Sequence, residues 1–231
     1  MREIIMTKKN ALILFIKTPI PGQVKTRLQP HITEDQSAEL YSAFIKDLDH
    51  TFHIQDEFVC WYAVAPENFD KNILDQLVHL NNYFFQDGVD LGERMHHAFQ
   101  TLFSKRYEKI VLIGSDLPTI SVDIVSQALQ DLTNNECVIG PSKDGGYYLI
   151  ALSKLYSDLF KNLPWSSTDI LQKTIEIIEN KDLRYTILSE FEDIDTYKEI
   201  IALYNELKDK PQKDPNFPKY SWSVTSKLLE K

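Results

Sequence analysis

"VLIGSDLPTI", residues 111–120, decides how the rest of the chain is read. Val111, Leu112 and Ile113 make the apolar run that a strand buried on both faces requires, and Gly114 closes it. The chain then turns polar at Ser115, sets a carboxylate at Asp116 and meets Pro118, which cannot continue a hydrogen-bonded ladder. An acid at the tip of a core strand is a helix cap, part of a solvated loop, or a ligand-binding group. Thr119 and Ser121 stand nearer the next helical pattern, so Asp116 is not needed to start that helix.

On either side of this strand, similar runs alternate with helical spacing. "ALILFI" (11–16), "FVCWYAVA" (58–65), "YFFQ" (83–86), "KIVLIG" (109–114), "CVIGPS" (137–142), "YYLIAL" (147–152) and "RYTIL" (184–188) read as strands. Helices are expected over 33–52 with Thr33 as cap, roughly 67–80, 92–106, 121–132, 167–180 and 196–209. This order predicts an α/β fold, a mixed and mostly parallel sheet covered by helices on both faces. The expected domain is residues 1–209. Residues 210–231, interrupted by Pro211, Pro215 and Pro218, are expected to form a C-terminal arm lying on it.

Composition narrows the function. The chain has 231 residues, 43% hydrophobic and 26% charged, enough for a sizeable core. Lys and Arg number 25 against 34 Asp and Glu, a net charge of −9 without a basic stripe, which argues against a nucleic-acid partner. Lys8 and Lys9 precede "ALILFI", but that run is too short for a signal core or a membrane span. Cys60 and Cys137 sit in separate strands as buried thiols, so a reducing, cytoplasmic setting is expected.

Ligands of open parallel sheets bind beyond the carboxyl ends of the strands. There, "KTPIPGQVKTRL" (17–28) places Lys17, Lys25 and Arg27 around a Pro-Gly turn at Gly22, suited to a polyphosphate or to a solvated turn. Asp116 can hold Mg²⁺ or Mn²⁺ against a diphosphate. In "GPSKDGGYYLIAL" (140–152), Asp144, Gly145 and Gly146 read first as a turn, with Tyr147 behind it. Asp90 and Glu93 have capping-box spacing, and Arg94 in the first helical turn opposes the helix dipole, a hint of an anionic ligand. His96 and His97 read as helix residues rather than zinc ligands. In "PWSSTDIL" (164–171), Ser167 or Thr168 is expected to cap a helix, while Trp165 is core or a stacking platform. In "EDIDTYKEI" (192–200), Asp193 and Asp195 face opposite ways if extended, and one of them can complete a two-carboxylate metal site with Asp116.

Taken in order, "KTPIPGQVKTRL", "DLGERM", "IGSDLPTI", "GPSKDGGYYLIAL", "PWSSTDIL" and "DIDTYKEI" resemble the DUF2064 group of nucleotide-diphospho-sugar transferase-like proteins, which includes arsenosugar-biosynthesis-type glycosyltransferases. The resemblance runs from residue 12 to about 200. It implies a GT-A-like nucleotide-binding α/β/α sandwich, with Asp116 and Asp195 as metal ligands, Asp193 in reserve, and the loop of Lys17, Lys25 and Arg27 on phosphates. The chain departs from the Gly-rich triphosphate loop of sugar nucleotidyltransferases, having Gly22 alone among prolines. "VKTRL" is also similar to the phospholactate guanylyltransferases.

The leading expectation is a metal-dependent glycosyltransferase taking a nucleotide-sugar and a small-molecule acceptor, with Asp116 and Asp144 catalytic. Asp144 positions the acceptor or acts as base. Gly145, Gly146, Tyr147 and Trp165 form the substrate loops. Lys17, Gly22, Lys25, Arg27 and Arg94 bind phosphate, and Mg²⁺ or Mn²⁺ sits on Asp116 and Asp195. The alternative is a guanylyltransferase-like enzyme joining a nucleoside triphosphate to a phosphorylated small molecule, with release of pyrophosphate. A nucleotide-binding module without catalysis is the third reading.

Overall fold

The computed structural model describes residues 9–66, 71–165 and 167–230. Among the described residues, seven strands form one sheet: β1 (Asn10–Lys17), β2 (Val59–Ala65), β3 (Tyr83–Phe85), β4 (Lys109–Ile113), β5 (Cys137–Pro141), β6 (Tyr147–Leu152) and β7 (Tyr185–Ile187). Their order is β3-β2-β1-β4-β6-β5-β7. β6 runs antiparallel to both β4 and β5, and the other neighbours are parallel. The helices are α1 (Glu34–Phe52), α2 (Lys71–Asp75), α3 (Leu91–Ser104), α4 (Val122–Asp131), α5 (Ile170–Asn180), α6 (Tyr197–Lys208) and α7 (Lys219–Leu229).

Strand alternation sorts the core into two layers. Leu12, Leu14 and Ile16 of β1 join Val111 and Ile113 of β4 against α1 and α4. Ala11 and Ile13 join Ile110 and Leu112 against α3 and α5. A third cluster joins Leu40 and Phe44 of α1 to Leu203 and Leu207 of α6 and to Phe217. The buried pattern of β1 and β4 follows from this two-sided packing.

Two local expectations, for the second and the fifth helix, need correction. The second helix is the short α2, and positions 67–70 of the expected span lie outside the described residues, as does Lys8. α5 starts at Ile170 with Asp169 in the cap position, and neither Ser167 nor Thr168 caps it. Ser167 Oγ instead bonds the Asp169 carboxylate. Within 210–231, α7 is a regular helix whose fully buried side chains are Ser221 and Thr225. Its anchor is the buried Asp47 of α1, which accepts from Tyr220 N at 3.0 Å, Ser221 N at 2.7 Å and Ser221 Oγ at 2.5 Å.

Candidate functional site

Strand order reverses between β1 and β4: the chain builds outward from β1 through β2 to β3, then returns to the other side of β1. The loops leaving β1 and β4 therefore open at this switch point, where α/β sheets bind ligands. They carry Lys25 and Asp116. The segment after β7 reaches the same place. Phe191 bridges Ser142, and Ile194 N donates to the Asp116 carbonyl at 3.0 Å. That backbone bond fixes Asp195 beside Asp116.

The three side chains meet. Lys25 Nζ lies 2.5 Å from Asp116 Oδ1 and 2.9 Å from Asp195 Oδ1, and donates to the Ile194 carbonyl at 2.5 Å. The Lys25 side chain is only 3% exposed, while those of Asp116 and Asp195 are 42% and 35% exposed. Burial alone would lower the Lys25 ammonium, but the charges of Asp116 and Asp195 outweigh it and raise the group to about 12. Burial likewise favours a neutral Asp195, yet Lys25, then Arg27 and Lys17, hold its carboxyl below the usual range. Arg27 Nη1 stands 3.5 Å from Asp195 Oδ2.

This cluster lies in a cleft of about 900 Å³. Lys17, Lys25, Arg27 and Arg94 line it together with Asp116, Asp144, Asp193 and Asp195. Asp193 and Asp195 share the cleft; their segment is not a strand, so the alternation that would turn them apart does not apply. Burial, then the charges of Asp116, Asp144 and Asp195, push the Asp193 carboxyl up to about 7. Gly146, Tyr147 and Trp165 also line the cleft. Arg94 Nε donates to the Gly88 carbonyl at 3.0 Å, which steadies a cation set against the helix dipole. Asp90 caps α3 by accepting from Glu93 N, whereas Glu93 turns back to Val89 N, so the capping box is half formed.

Gly145 and Gly22, both expected at the site, lie outside the cleft lining. Gly145 has φ +90°, and a Cβ there would meet the Thr168 carbonyl oxygen at 1.8 Å, so the space it frees holds backbone rather than a ligand. Gly22 has φ +77° and faces the Glu34 carboxylate. Asp144 Oδ1 accepts from Gly146 N at 2.9 Å, closing the turn. His96 bonds Ser157 Oγ at 2.9 Å.

Sequence reasoning missed Tyr41 and Ser115, which line the cleft beneath Asp116. Their hydroxyls share a 2.7 Å hydrogen bond, and Lys17 N donates to Tyr41 at 3.0 Å. Burial, then the charge of Asp116, raises the Tyr41 phenol to about 12, so it stays a neutral donor. A tyrosine on the apolar face of α1 reads as core in sequence, and nothing in its spacing marks it otherwise.

Comparison with known proteins agrees with this architecture. A solved structure from Desulfovibrio desulfuricans G20, provisionally described as a nucleotide-diphospho-sugar transferase, is 30% identical. It superposes with a TM-score of 0.84 over 96% of this chain and 99% of that one. Two curated 2-phospho-L-lactate guanylyltransferases are also similar. The protein from Methanosphaera stadtmanae is 23% identical over 64% of each chain. The one from Methanobrevibacter ruminantium is 24% identical over 60% of this chain and 62% of its own. The match thus spans less than two thirds of these relatives' length. The family model for DUF2064, "uncharacterized protein conserved in bacteria", matches residues 51–167. Half of the sequence thus fits that model, the structural likeness runs nearly end to end, and the chain belongs to the DUF2064 family.

Proposed function

We propose that this protein is a nucleotidyltransferase that joins a nucleoside triphosphate to a phosphorylated small molecule and releases pyrophosphate. The observation that carries the reading is the convergence of Asp116 and Asp195 on one buried cation at the switch point of the sheet. Two carboxylate oxygens around a positive charge form a hard donor set, which suits Mg²⁺ or Mn²⁺. The Lys25 ammonium holds that place here. A divalent ion bound by Asp116 and Asp195 would supply Lewis-acid stabilisation of phosphate charge.

The chain's own cations do the rest. An oxygen of the acceptor phosphate bonds the α-phosphorus, the α–β bridging bond breaks, and its electron pair leaves with pyrophosphate. Lys17, Lys25, Arg27 and Arg94 line the cleft to orient the triphosphate and stabilise the charge that grows on the departing group. Asp193 sits among three other acids and holds a proton in part near neutral pH, which limits repulsion of the incoming phosphates.

Two considerations favour nucleotidyl over glycosyl transfer. The curated relatives are guanylyltransferases, so GTP is the first donor to test. A phosphate acceptor is already an anion near neutral pH, because its second pKa is about 6, and needs no general base. A sugar acceptor's hydroxyl does need one, and Asp144, the candidate, has one oxygen committed to its own turn. Glycosyl transfer from a nucleotide-sugar is the second reading, supported by the description of the Desulfovibrio structure.

Phosphorus NMR of turnover separates the two. With Mn²⁺, nucleoside triphosphates and phosphorylated acceptors, 2-phospho-L-lactate first among them, pyrophosphate should appear and Asp116→Asn should abolish it. Release of a nucleoside diphosphate from a nucleotide-sugar, without pyrophosphate from any triphosphate, would overturn the proposal.

A further inference from the structure

A second cluster lies on the opposite rim of the sheet. The cleft opens at the carboxyl ends of the strands. Asp49 and His53, by contrast, close the last turn of α1, and His79 stands just before β3. One donor atom from each of Asp49, His53 and His79 lies within 4.8 Å of the others.

The hydrogen bonds show how the groups are presented. Asp49 Oδ1 is fully engaged, accepting from the Tyr62 hydroxyl at 2.5 Å and from His79 N at 2.9 Å. Oδ2 is thereby turned toward the imidazoles, 2.7 Å from His79 Nδ1 and 4.0 Å from His53 Nδ1. His53 Nδ1 lies 2.7 Å from the Asp49 carbonyl, which can only accept, so that nitrogen carries the ring hydrogen. The two rings stack with centroids 4.0 Å apart and planes 7° from parallel.

From this geometry we propose that Asp49, His53 and His79 form a binding site for a borderline transition-metal cation such as Zn²⁺. Zinc holds imidazole nitrogen and carboxylate oxygen at about 2.0–2.2 Å, so neighbouring ligands of a tetrahedral shell stand about 3.3–3.5 Å apart. The 2.7 and 4.0 Å separations at Oδ2 bracket that spacing. The parallel stack must open for both ring lone pairs to point at one ion, and the His79 side chain, 59% exposed, has room to turn. Ligation through Nδ1 moves each ring hydrogen to Nε2, and His53 gives up its bond to the Asp49 carbonyl as its ring turns toward the ion. Tyr62 and His79 N hold the carboxylate from behind, the outer-shell support that metal ligands require. The carboxyl end of α1 adds a favourable dipole for a cation. A mixed nitrogen and oxygen set selects zinc, cobalt, nickel or copper over magnesium, the reverse of the all-oxygen pair in the cleft.

The site ties the end of α1 to the strand-entry segment at β3, away from the cleft. Isothermal titration of the EDTA-treated full chain with Zn²⁺ tests it, beside His79→Gln, His53→Gln and Asp116→Asn. Either histidine change should weaken one zinc equivalent at least about tenfold, whereas Asp116→Asn should leave that equivalent intact. Co²⁺ should give a visible spectrum of nitrogen ligation in the parent that His79→Gln lacks. Zn²⁺ should also raise the melting temperature of the parent but not of His79→Gln. His79→Gln is the variant safest for folding, and a melting temperature in EDTA equal to the parent's confirms that it is folded. Zinc affinities within twofold of the parent in His79→Gln would overturn the site.

Discussion

Lys25→Met removes the ammonium that Asp116 and Asp195 share while keeping most of the side-chain volume. Removing one partner of a fully buried ion pair costs about 3–5 kcal/mol, because the charge left behind stays desolvated. Here the carboxylates left behind are 42% and 35% exposed, so water screens much of their repulsion. Roughly half the buried figure, about 2 kcal/mol, is the reasoned cost. For a chain of this size that is a fall in melting temperature of about 4–8 °C. The same change vacates the space between the two acids. Unit charges 4 Å apart near a protein surface interact by about 4 kcal/mol, so losing the competing ammonium should tighten Mn²⁺ binding by at least about tenfold. Calorimetric melting in EDTA and Mn²⁺ titration read the two effects separately. A melting temperature within about 1 °C of the parent, with Mn²⁺ bound no more tightly, would refute the account of the cleft's charge.

Three other perturbations probe the frame around that cation. Asp193 has a folded pKa of about 7, above its ordinary value, so the folded state binds the extra proton and stability declines as pH rises from about 4 to 7. In EDTA, Asp193→Asn should therefore stabilise the protein at pH 8 by at least about 1 kcal/mol more than at pH 4.5; an equal effect at both would remove Asp193 from the acidic cluster. Gly145→Ala places a Cβ against the Thr168 carbonyl at φ +90° and should cost about 2–4 kcal/mol by urea denaturation. Asp47→Ala leaves the first amides of α7 without their acceptor and should speed hydrogen exchange over residues 219–229 while β1 and β4 stay protected.

The apolar runs of β1 and β4 carried the fold, because strands buried on both faces cannot hide their composition in alternation. The polar turn at Asp116 and the cations after β1 were legible for a related reason: strand ends are where a parallel sheet exposes its loops. The partnership of Lys25 with Asp116 and Asp195 was not legible. It depends on the Ile194–Asp116 backbone bond, which forms only once the chain after β7 crosses back over the sheet. The sharing of one cleft by Asp193 and Asp195 was hidden likewise, since alternation along an extended segment predicts opposite directions. α7 escaped notice because its buried residues are Ser221 and Thr225, which give no hydrophobic period, and because Asp47 that anchors it lies far away in sequence. The zinc-type cluster had no motif at all, since His79 joins Asp49 and His53 only after α1 and β3 are assembled.

The most direct test of the central claim is anomalous diffraction from crystals grown with Mn²⁺ and a non-hydrolysable nucleoside triphosphate. The expected result is a manganese peak coordinated by Asp116 and Asp195, the Lys25 ammonium displaced onto phosphate oxygens, and Arg27 beside them. A peak remote from both carboxylates, with Lys25 still clasped between them and the nucleotide bound elsewhere, would contradict it.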